Sequence, residues 1–227
     1  EDNEINQMVA VGILTEMGYD VDVAPDGLKA LELAARSTYL AVLMDCQMPN
    51  MDGYEATGEL RRREEMDHAR GDSTGPTIRQ RTPIIAMTAA ALDEDRDRCL
   101  AAGMDDYLTK PIHTDELAAV LVRWTVGTVS AGPSAGSNHT LSTEGSILNR
   151  LDDLQANGAK GLVSRIVASF LTRAPGYLQD LADALHQGDL DALANAAHSL
   201  NGAAGNLGAS AMASLCEGLE DLGRDRR

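Results

Sequence analysis

The chain of 227 residues carries a net charge of −16, which argues against binding a nucleic acid through its phosphate backbone and gives no sign of a patch for an anionic membrane. Hydrophobic residues make up 44% of the sequence and aromatic residues only 3%, so a core must be built from aliphatic side chains, methionine and alanine. The sequence holds no run of about 18 apolar residues, so we expect no direct membrane contact from this segment.

The first part of the chain alternates between helical and strand patterns. Apolar residues at helical spacing predict a helix over residues 4–17, and "DVDVA" at 20–24 alternates like a strand. Asp26 is suited to cap the next helix. The apolar run "YLAVLMD" (39–45), which ends in an acid, is typical of a parallel strand that is buried on both faces.

The alternation continues to about residue 124. It predicts further helices and strands, the helices over about 54–65, 93–102 and 117–124 and the strands over 83–88 and 106–109. A polar stretch at 66–81 predicts a long surface loop. Strands that alternate with helices indicate a parallel sheet with helices on both faces.

The composition changes after residue 124. Residues 125–145 are rich in glycine, serine, threonine and alanine, which predicts a flexible linker. No strand pattern follows, and apolar faces at 162–171 and 178–185 precede two more helical patterns. We therefore expect a first domain over 1–124 and a small antiparallel helical bundle over 146–227.

The segment "AAHSLNGAAGNLGA" (196–209) combines a helical pattern with three glycines. Its apolar residues form one core-facing stripe: Leu193, Ala197, Leu200, Ala204 and Leu207. His198, Gly202 and Gly205 lie about 120–180° away from that stripe, on the predicted solvent face. Each interior glycine costs about 1 kcal/mol relative to alanine, and it gives a benefit where another backbone approaches closely. The segment predicts a docking or reactive histidine, and a weak helix with a surface histidine is the alternative.

Polar residues gather at the predicted strand ends. Asp45 ends one strand, Thr88 ends the next, Lys110 follows the third, and Glu1 and Asp2 precede the first helix. Ligands bind at the carboxyl ends of the strands in such sheets. Packed carboxylates suit a hard cation such as Mg²⁺, and the lysine and hydroxyl suit phosphate oxygens. We predict a carboxylate that accepts a phosphoryl group, with an acidic rim that holds no metal as the alternative.

Four motifs carry a resemblance to a known family: "EDNEINQ" (1–7), "LMDCQMPNMDGYEA" (43–56), "PIIAMTAAAL" (83–92) and "GMDDYLTKPI" (103–112). With them, residues 1–124 resemble the receiver domain found in hybrid sensor histidine kinases. The resemblance implies a flavodoxin-like, doubly wound α/β fold with a parallel sheet, whose first strand precedes Glu1 and is missing from this sequence.

The resemblance also implies roles for the acidic residues. Asp45 would be the phosphorylated residue. Asp2 would bind Mg²⁺ directly, Glu1 mostly through water, and the backbone carbonyl of Gln47 would be a further ligand.

Three more roles follow from the same resemblance. Thr88 and Lys110 would respond to the phosphoryl group, and Tyr107 would be the aromatic switch residue that turns inward as Thr88 moves. The bond between Lys110 and Pro111 would be cis.

Residues 146–227 resemble a histidine-containing phosphotransfer (HPt) domain, an all-α helical bundle. His198 would be its phosphoacceptor, and Gly202 and Gly205 would clear a landing surface for a receiver domain. Asn201 stands where the family usually has lysine, which predicts a weaker hold on phosphohistidine. The family's closing helix would follow Gly223 and is missing from this sequence.

Together these resemblances predict a cytoplasmic phosphorelay segment, for instance in the cytoplasmic part of a membrane-anchored sensor kinase. A kinase phosphohistidine, in the same polypeptide or another, would donate to Asp45, and His198 would pass the group to a downstream response regulator. No ATP-binding motif is present, so whether the segment is itself an enzyme stays open. One alternative is a binding switch that regulates an attached kinase, with His198 inactive because of Asn201. The other is a metal-dependent hydrolase, which usually has a second acid where this chain has Gln47.

Overall fold

The computed structural model describes residues 1–69, 81–88, 93–125 and 162–224. The strands are β1 (Val42–Asp45), β2 (Ile84–Thr88) and β3 (Asp106–Thr109). The helices are α1 (Glu4–Glu16), α2 (Gly27–Arg36), α3 (Gly53–Ala69), α4 (Asp93–Ala101), α5 (Thr114–Thr125), α6 (Leu162–Gln187), α7 (Leu190–Asn206) and α8 (Ser210–Arg224). These elements form two compact units, one with Glu1, Asp2, the strands and α2–α5, and the other with α1 and α6–α8.

The first unit is built on a parallel sheet in the order β1-β2-β3. Asp45 pairs with Met87, and Thr88 pairs with Thr109, so the polar ends of the strands lie at the same edge. All five residues of β2 are buried, as its continuous apolar sequence predicts for a central strand. The parallel sheet with flanking helices agrees with the predicted fold, although β1 begins at Val42 and not at residue 39.

The strand predicted over residues 20–24 is wrong, because this segment has no regular secondary structure. Alternating polarity describes a face that can pack, but a strand also needs a hydrogen-bonded neighbour. The described sheet consists of β1, β2 and β3 and provides none for this segment.

The helices of the first unit start at residues with suitable side chains. Asp26 caps α2 as predicted, since its carboxylate accepts a hydrogen bond from the Lys29 amide at 2.8 Å. Helix α3 runs to Ala69, beyond the predicted end at residue 65, and ion pairs of Glu59 with Arg62 and Arg63 stabilise its middle turns. The predicted loop at 66–81 therefore begins later, and its residues 70–80 lie outside the described residues.

Helices α6, α7 and α8 form the helical region. The two apolar faces predicted at 162–171 and 178–185 lie on one continuous helix, α6, which contains Pro175. The predicted core stripe of α7 is confirmed, because Leu193, Ala197, Leu200, Ala204 and Leu207 are all buried. The predicted linker, apart from Thr125 at the end of α5, lies outside the described residues.

Helix α1 packs against α6 and α7 within the second unit. The Asn3 side-chain amide donates to the Ser199 carbonyl at 2.8 Å, and Asn206 donates to the side-chain oxygen of buried Asn6 at 2.6 Å. Glu4 pairs with Arg173 at 2.5 Å. Within the described ranges, every helix is too short or too polar to cross a lipid bilayer.

Candidate functional site

An acidic cluster lies at the carboxyl end of β1. Glu1, Asp2 and Asp45 each present a carboxylate oxygen, and these oxygens lie within 4.8 Å of one another. Asp45 is the last residue of β1 and is buried, while Glu1 and Asp2 stand just before α1. The structure therefore brings together the three acids that the strand-end argument placed at this edge.

Lys110 is buried within this cluster. Its Nζ lies 2.5 Å from Asp45 Oδ2 and 2.8 Å from Glu1 Oε2. Burial lowers the pKa of Lys110, but the charges of Asp45 and Glu1 more than offset this effect, so the pKa lies above its usual value. Burial, with the nearby Asp45 charge, raises the pKa of Glu1 although Lys110 opposes this. The cluster thus holds a permanent ammonium among crowded carboxylates.

Close backbone contacts hold Asp45 in place. The Gln47 amide donates to Asp45 Oδ1 at 3.1 Å. The Gly53 amide, at the start of α3, donates to the Cys46 carbonyl at 3.3 Å. A Cβ atom at Gly53 would overlap the Asp45 carbonyl oxygen, so only glycine lets α3 begin this close to β1. The motif "MDGYEA" therefore positions the carboxylate through its glycine.

Thr88 and Tyr107 lie on the neighbouring strands. Thr88 is the buried end of β2, and its carbonyl accepts a hydrogen bond from the Lys110 amide at 2.7 Å. Tyr107 is half-buried on β3 and packs against the apolar core beside the sheet. The bond between Lys110 and Pro111 is cis, as the resemblance implied. A backbone hydrogen bond between the paired strands thus joins Thr88 to Lys110.

The donor set of the acidic cluster fits a magnesium ion. Three carboxylates provide hard oxygen ligands, which Mg²⁺ prefers, and their negative charge exceeds the positive charge of Lys110. A divalent cation would offset the remaining repulsion among Glu1, Asp2 and Asp45.

His198 lies on α7, in the second unit, and contacts an acid of α8. Its Nδ1 lies 3.2 Å from Glu220 Oε2, and its side chain is 15% exposed. Asn201, one turn later, donates to Glu220 Oε1 at 3.0 Å. The predicted solvent face is therefore only partly correct, because Glu220 covers one nitrogen of the imidazole. Sequence reasoning missed Glu220, because it is only one acid on the last helical pattern.

The glycines of α7 differ in their surroundings. A Cβ atom at Gly202 would lie 2.7 Å from the side-chain nitrogen of Asn6, so α1 approaches α7 closely at this position. Gly205 is half-buried. Helix α1 therefore packs against this face of α7 at Gly202.

A family model described as the response regulator receiver domain matches residues 1–122. The chain belongs to this receiver family. A second model, described as the Hpt domain, matches residues 165–227. The parallel sheet is thus the receiver's flavodoxin-like sheet, and the helical region carries the Hpt match.

A known protein is similar in sequence to both the receiver and the Hpt regions of this chain. The sensor histidine kinase GacS of Pseudomonas protegens is 31% identical over 225 residues, which make up 98% of this chain and 23% of GacS. The chain thus spans less than a quarter of that relative's length.

Two solved structures are also similar. The receiver domain of sensor histidine kinase PA1611 from Pseudomonas aeruginosa, which has a magnesium ion in its active site cleft, is 43% identical. It covers 56% of this chain and 93% of its own, with a TM-score of 0.47. A chain from the Saccharomyces cerevisiae complex of the phosphotransfer protein Ypd1 with the receiver domain of Ssk1 is 27% identical. The match covers 56% of this chain and 85% of that chain, with a TM-score of 0.51.

Proposed function

We propose that the chain is a two-component phosphorelay segment. Asp45 accepts a phosphoryl group from the phosphohistidine of a histidine kinase domain, and His198 takes the group on for transfer to a downstream response regulator. The observation that carries this proposal is the acidic cluster, where oxygens of Glu1, Asp2 and Asp45 gather within 4.8 Å and the Lys110 ammonium contacts Asp45. The Hpt match supports the second step.

The first transfer needs a nucleophilic carboxylate and compensation of added negative charge. A carboxylate oxygen of Asp45 attacks phosphorus, the O–P bond forms, and the N–P bond of the donor breaks with its electron pair left on the donor imidazole. Lys110 and the Thr88 hydroxyl then hold phosphoryl oxygens. Magnesium would supply further charge neutralisation, held by Asp2 and Asp45, by Glu1 through water and by the Gln47 carbonyl.

The second transfer needs a receiver domain to dock on α7. Glycine at positions 202 and 205 would let another backbone come close to this face, and the close packing of α1 at Gly202 supports such an approach. Similarity to the Ypd1–Ssk1 complex, in which a phosphotransfer protein binds a receiver domain, also supports it. Asn201 belongs to the same docking surface.

Three further predictions complete the proposal. Tyr107 acts as the switch residue that follows Thr88 after phosphorylation, and it lies half-buried on β3, the strand that pairs with β2. The chain works in the cytoplasm, since its three widely spaced cysteines are free thiols. Residues 1–124 and 146–227 are the two domains, joined by the linker 125–145.

Radiolabelled phosphotransfer tests the proposal. The full chain is incubated with a cognate kinase and labelled ATP, and the label is assigned to aspartate or histidine by its stability in acid and base. Asp45→Asn should remove both labels, whereas His198→Gln should keep the aspartyl label and lose the histidyl label. Asp52→Asn is the control for the first variant, because Asp52 caps α3 and asparagine caps helices equally well.

His186→Gln is the control for the second variant, because His186 is an exposed histidine on the neighbouring helix α6. Label on Asp45→Asn would refute the assignment of the acceptor. An aspartyl label that never reaches His198 would favour the alternative, a binding switch that regulates the kinase.

A further inference from the structure

The inference concerns the polar contact between α1 and α7, and it rests on the proposed function. Helix α1 lies inside the receiver match, which covers residues 1–122, yet it packs within the second unit against α6 and α7. The structure therefore contains a receiver helix packed on the helix that carries His198. The side chains at this contact indicate which receiver helices fit the surface of α7.

Two asparagines at the start of α1 meet α7 at successive positions. The Asn3 side-chain amide donates to the Ser199 carbonyl at 2.8 Å, and Asn6, one turn later, accepts a hydrogen bond from the Asn206 side-chain amide at 2.6 Å. Asn3, Asn6 and Asn206 are all buried. These contacts advance in the same direction along both helices, so they fix the position of α1 along α7.

Gly202 provides the space for the Asn6 side chain. A Cβ atom at Gly202 would lie 2.7 Å from Asn6 Nδ2, which is too close for a nonbonded contact. Gly202 and Asn206 are four residues apart on α7, so they lie on the same face of the helix. Together they form a recess that has room for a side-chain amide and contains a buried donor, Asn206 Nδ2, to bind it.

The amide pair is better suited to selecting a partner than to adding stability. Asn206 Oδ1 is buried and has no hydrogen-bond partner among the residues that the structure describes. A buried amide that is only partly satisfied contributes less to stability than a well-packed apolar side chain. It does discriminate among helices, because an aliphatic side chain in place of Asn6 would leave the buried Asn206 donor unpaired.

We propose that Asn6 and Asn206 form a specificity-determining pair, through which α7 selects receiver helices that bring a side-chain amide to the recess at Gly202. Helix α1 of this chain meets that requirement, which favours its own receiver domain as the donor to His198. A receiver domain with an aliphatic residue at the position of Asn6 would dock more weakly, because it would bury the Asn206 donor without an acceptor.

Transfer between two copies of the full chain tests the pair. The donor copy carries His198→Gln and receives label on Asp45 from a kinase, and the acceptor copy carries Asp45→Asn and keeps His198. Asn6→Ala in the donor and Asn206→Ala in the acceptor form a double-mutant cycle, measured as kcat/KM below saturation. The cycle should show a coupling of roughly 5- to 100-fold, because each single variant leaves one buried amide unpaired and the double variant leaves none. Effects of either substitution on its own copy cancel in this ratio.

Glu4→Gln in the donor is the matched control. Glu4 lies on the same helix and pairs with Arg173 of α6, but the side chains of this ion pair are 58% and 41% exposed. Glu4→Gln combined with Asn206→Ala should therefore show no coupling. Rates for the Asn6 and Asn206 variants that multiply without coupling would overturn the inference, and so would an equal coupling for Glu4.

Hydrogen exchange of the Asn206 side-chain amide gives a second readout that needs no transfer. In the unsubstituted full chain these protons should exchange slowly, and Asn6→Ala should make them exchange faster while circular dichroism shows that the variant is folded. Unprotected protons in the unsubstituted chain, or unchanged protection in Asn6→Ala, would contradict the pairing. Failure of the proposed function looks different, since label would then never reach His198 in any copy, and the exchange measurement would still decide whether Asn6 and Asn206 pair.

Discussion

Replacement of Arg61 by alanine tests which contacts hold the receiver sheet together. The Arg61 side chain is 12% exposed and donates to the Gly103 and Thr82 carbonyls, both at 2.9 Å. It also forms an ion pair at 2.6 Å with Asp105, whose side chain is 5% exposed. These contacts connect α3 to the segment that leads into β3 and Lys110, so Arg61 supports the site from a distance.

The expected loss follows from this burial. Breaking a buried ion pair by removing one partner costs about 3–5 kcal/mol, because the other charge stays buried. Asp105 would keep its contacts with Arg81 and the Ile84 amide, which places Arg61→Ala at the lower end, about 3 kcal/mol. Arg61→Lys keeps the charge but loses the planar fork, so it should recover only part of this loss.

Arg62→Ala is the matched control, because Arg62 is the next residue on the same helix and its side chain is 57% exposed. Its ion pair with Glu59 should contribute under about 1 kcal/mol. Urea unfolding can be followed by the fluorescence of Trp124, the single tryptophan of the chain, which lies on α5 in the first unit. Equal midpoint shifts for the Arg61 and Arg62 variants would refute the reasoning.

Three further predictions test the glycines and the acidic cluster. Gly202→Ala should lower the free energy of unfolding of the second unit by about 1–3 kcal/mol, because its Cβ meets buried Asn6. Gly218→Ala enters open space and should raise the free energy of unfolding by about 0.5–1 kcal/mol. Thermal unfolding followed by circular dichroism compares the two variants, and shifts of the same sign would contradict the argument. Gly53→Ala should abolish phosphorylation of Asp45, because its Cβ meets the Asp45 backbone, while Gly58→Ala on the same helix should leave phosphorylation intact. Labelling that persists in the Gly53 variant would count against the close contact of Gly53 with Asp45. Magnesium chloride should raise the unfolding temperature of the first unit, and Asp2→Asn should weaken that increase; an undiminished increase in the variant would remove Asp2 from the ligand set.

The sequence predicted the sheet well because its strands have a simple local signature. The apolar runs that contain β1 and β2 end in Asp45 and Thr88, and their side chains are buried in the structure as that pattern indicates. The segment at 20–24 failed because alternation carries no information about a pairing partner. The core stripe of α7 was predictable, since a period of 3.6 residues specifies one face of a helix.

Parts of the site and its support depend on packing, which the sequence does not reveal. The rule that ligands bind at strand ends was enough to predict that Glu1, Asp2, Asp45 and Lys110 lie close together. No such rule distinguishes Arg61 from the two arginines that follow it, although its side chain is 12% exposed and theirs are 57% and 45% exposed. Glu220 is likewise one acid among several on α8, and only the approach of α8 to α7 directs it to His198.

The two proposed phosphoacceptors, Asp45 and His198, contact charged side chains of opposite sign, and the proposed transfers explain the difference. In the proposed phosphorelay Asp45 would gain negative charge on phosphorylation, and the structure pairs it with the ammonium of Lys110. His198 would gain positive charge in the proposed second transfer, and the structure places the carboxylate of Glu220, to which Asn201 donates a hydrogen bond, beside its Nδ1. Each acceptor therefore faces a group whose charge is opposite to the one that phosphorylation creates, so neither transfer requires an uncompensated charge to develop inside the protein.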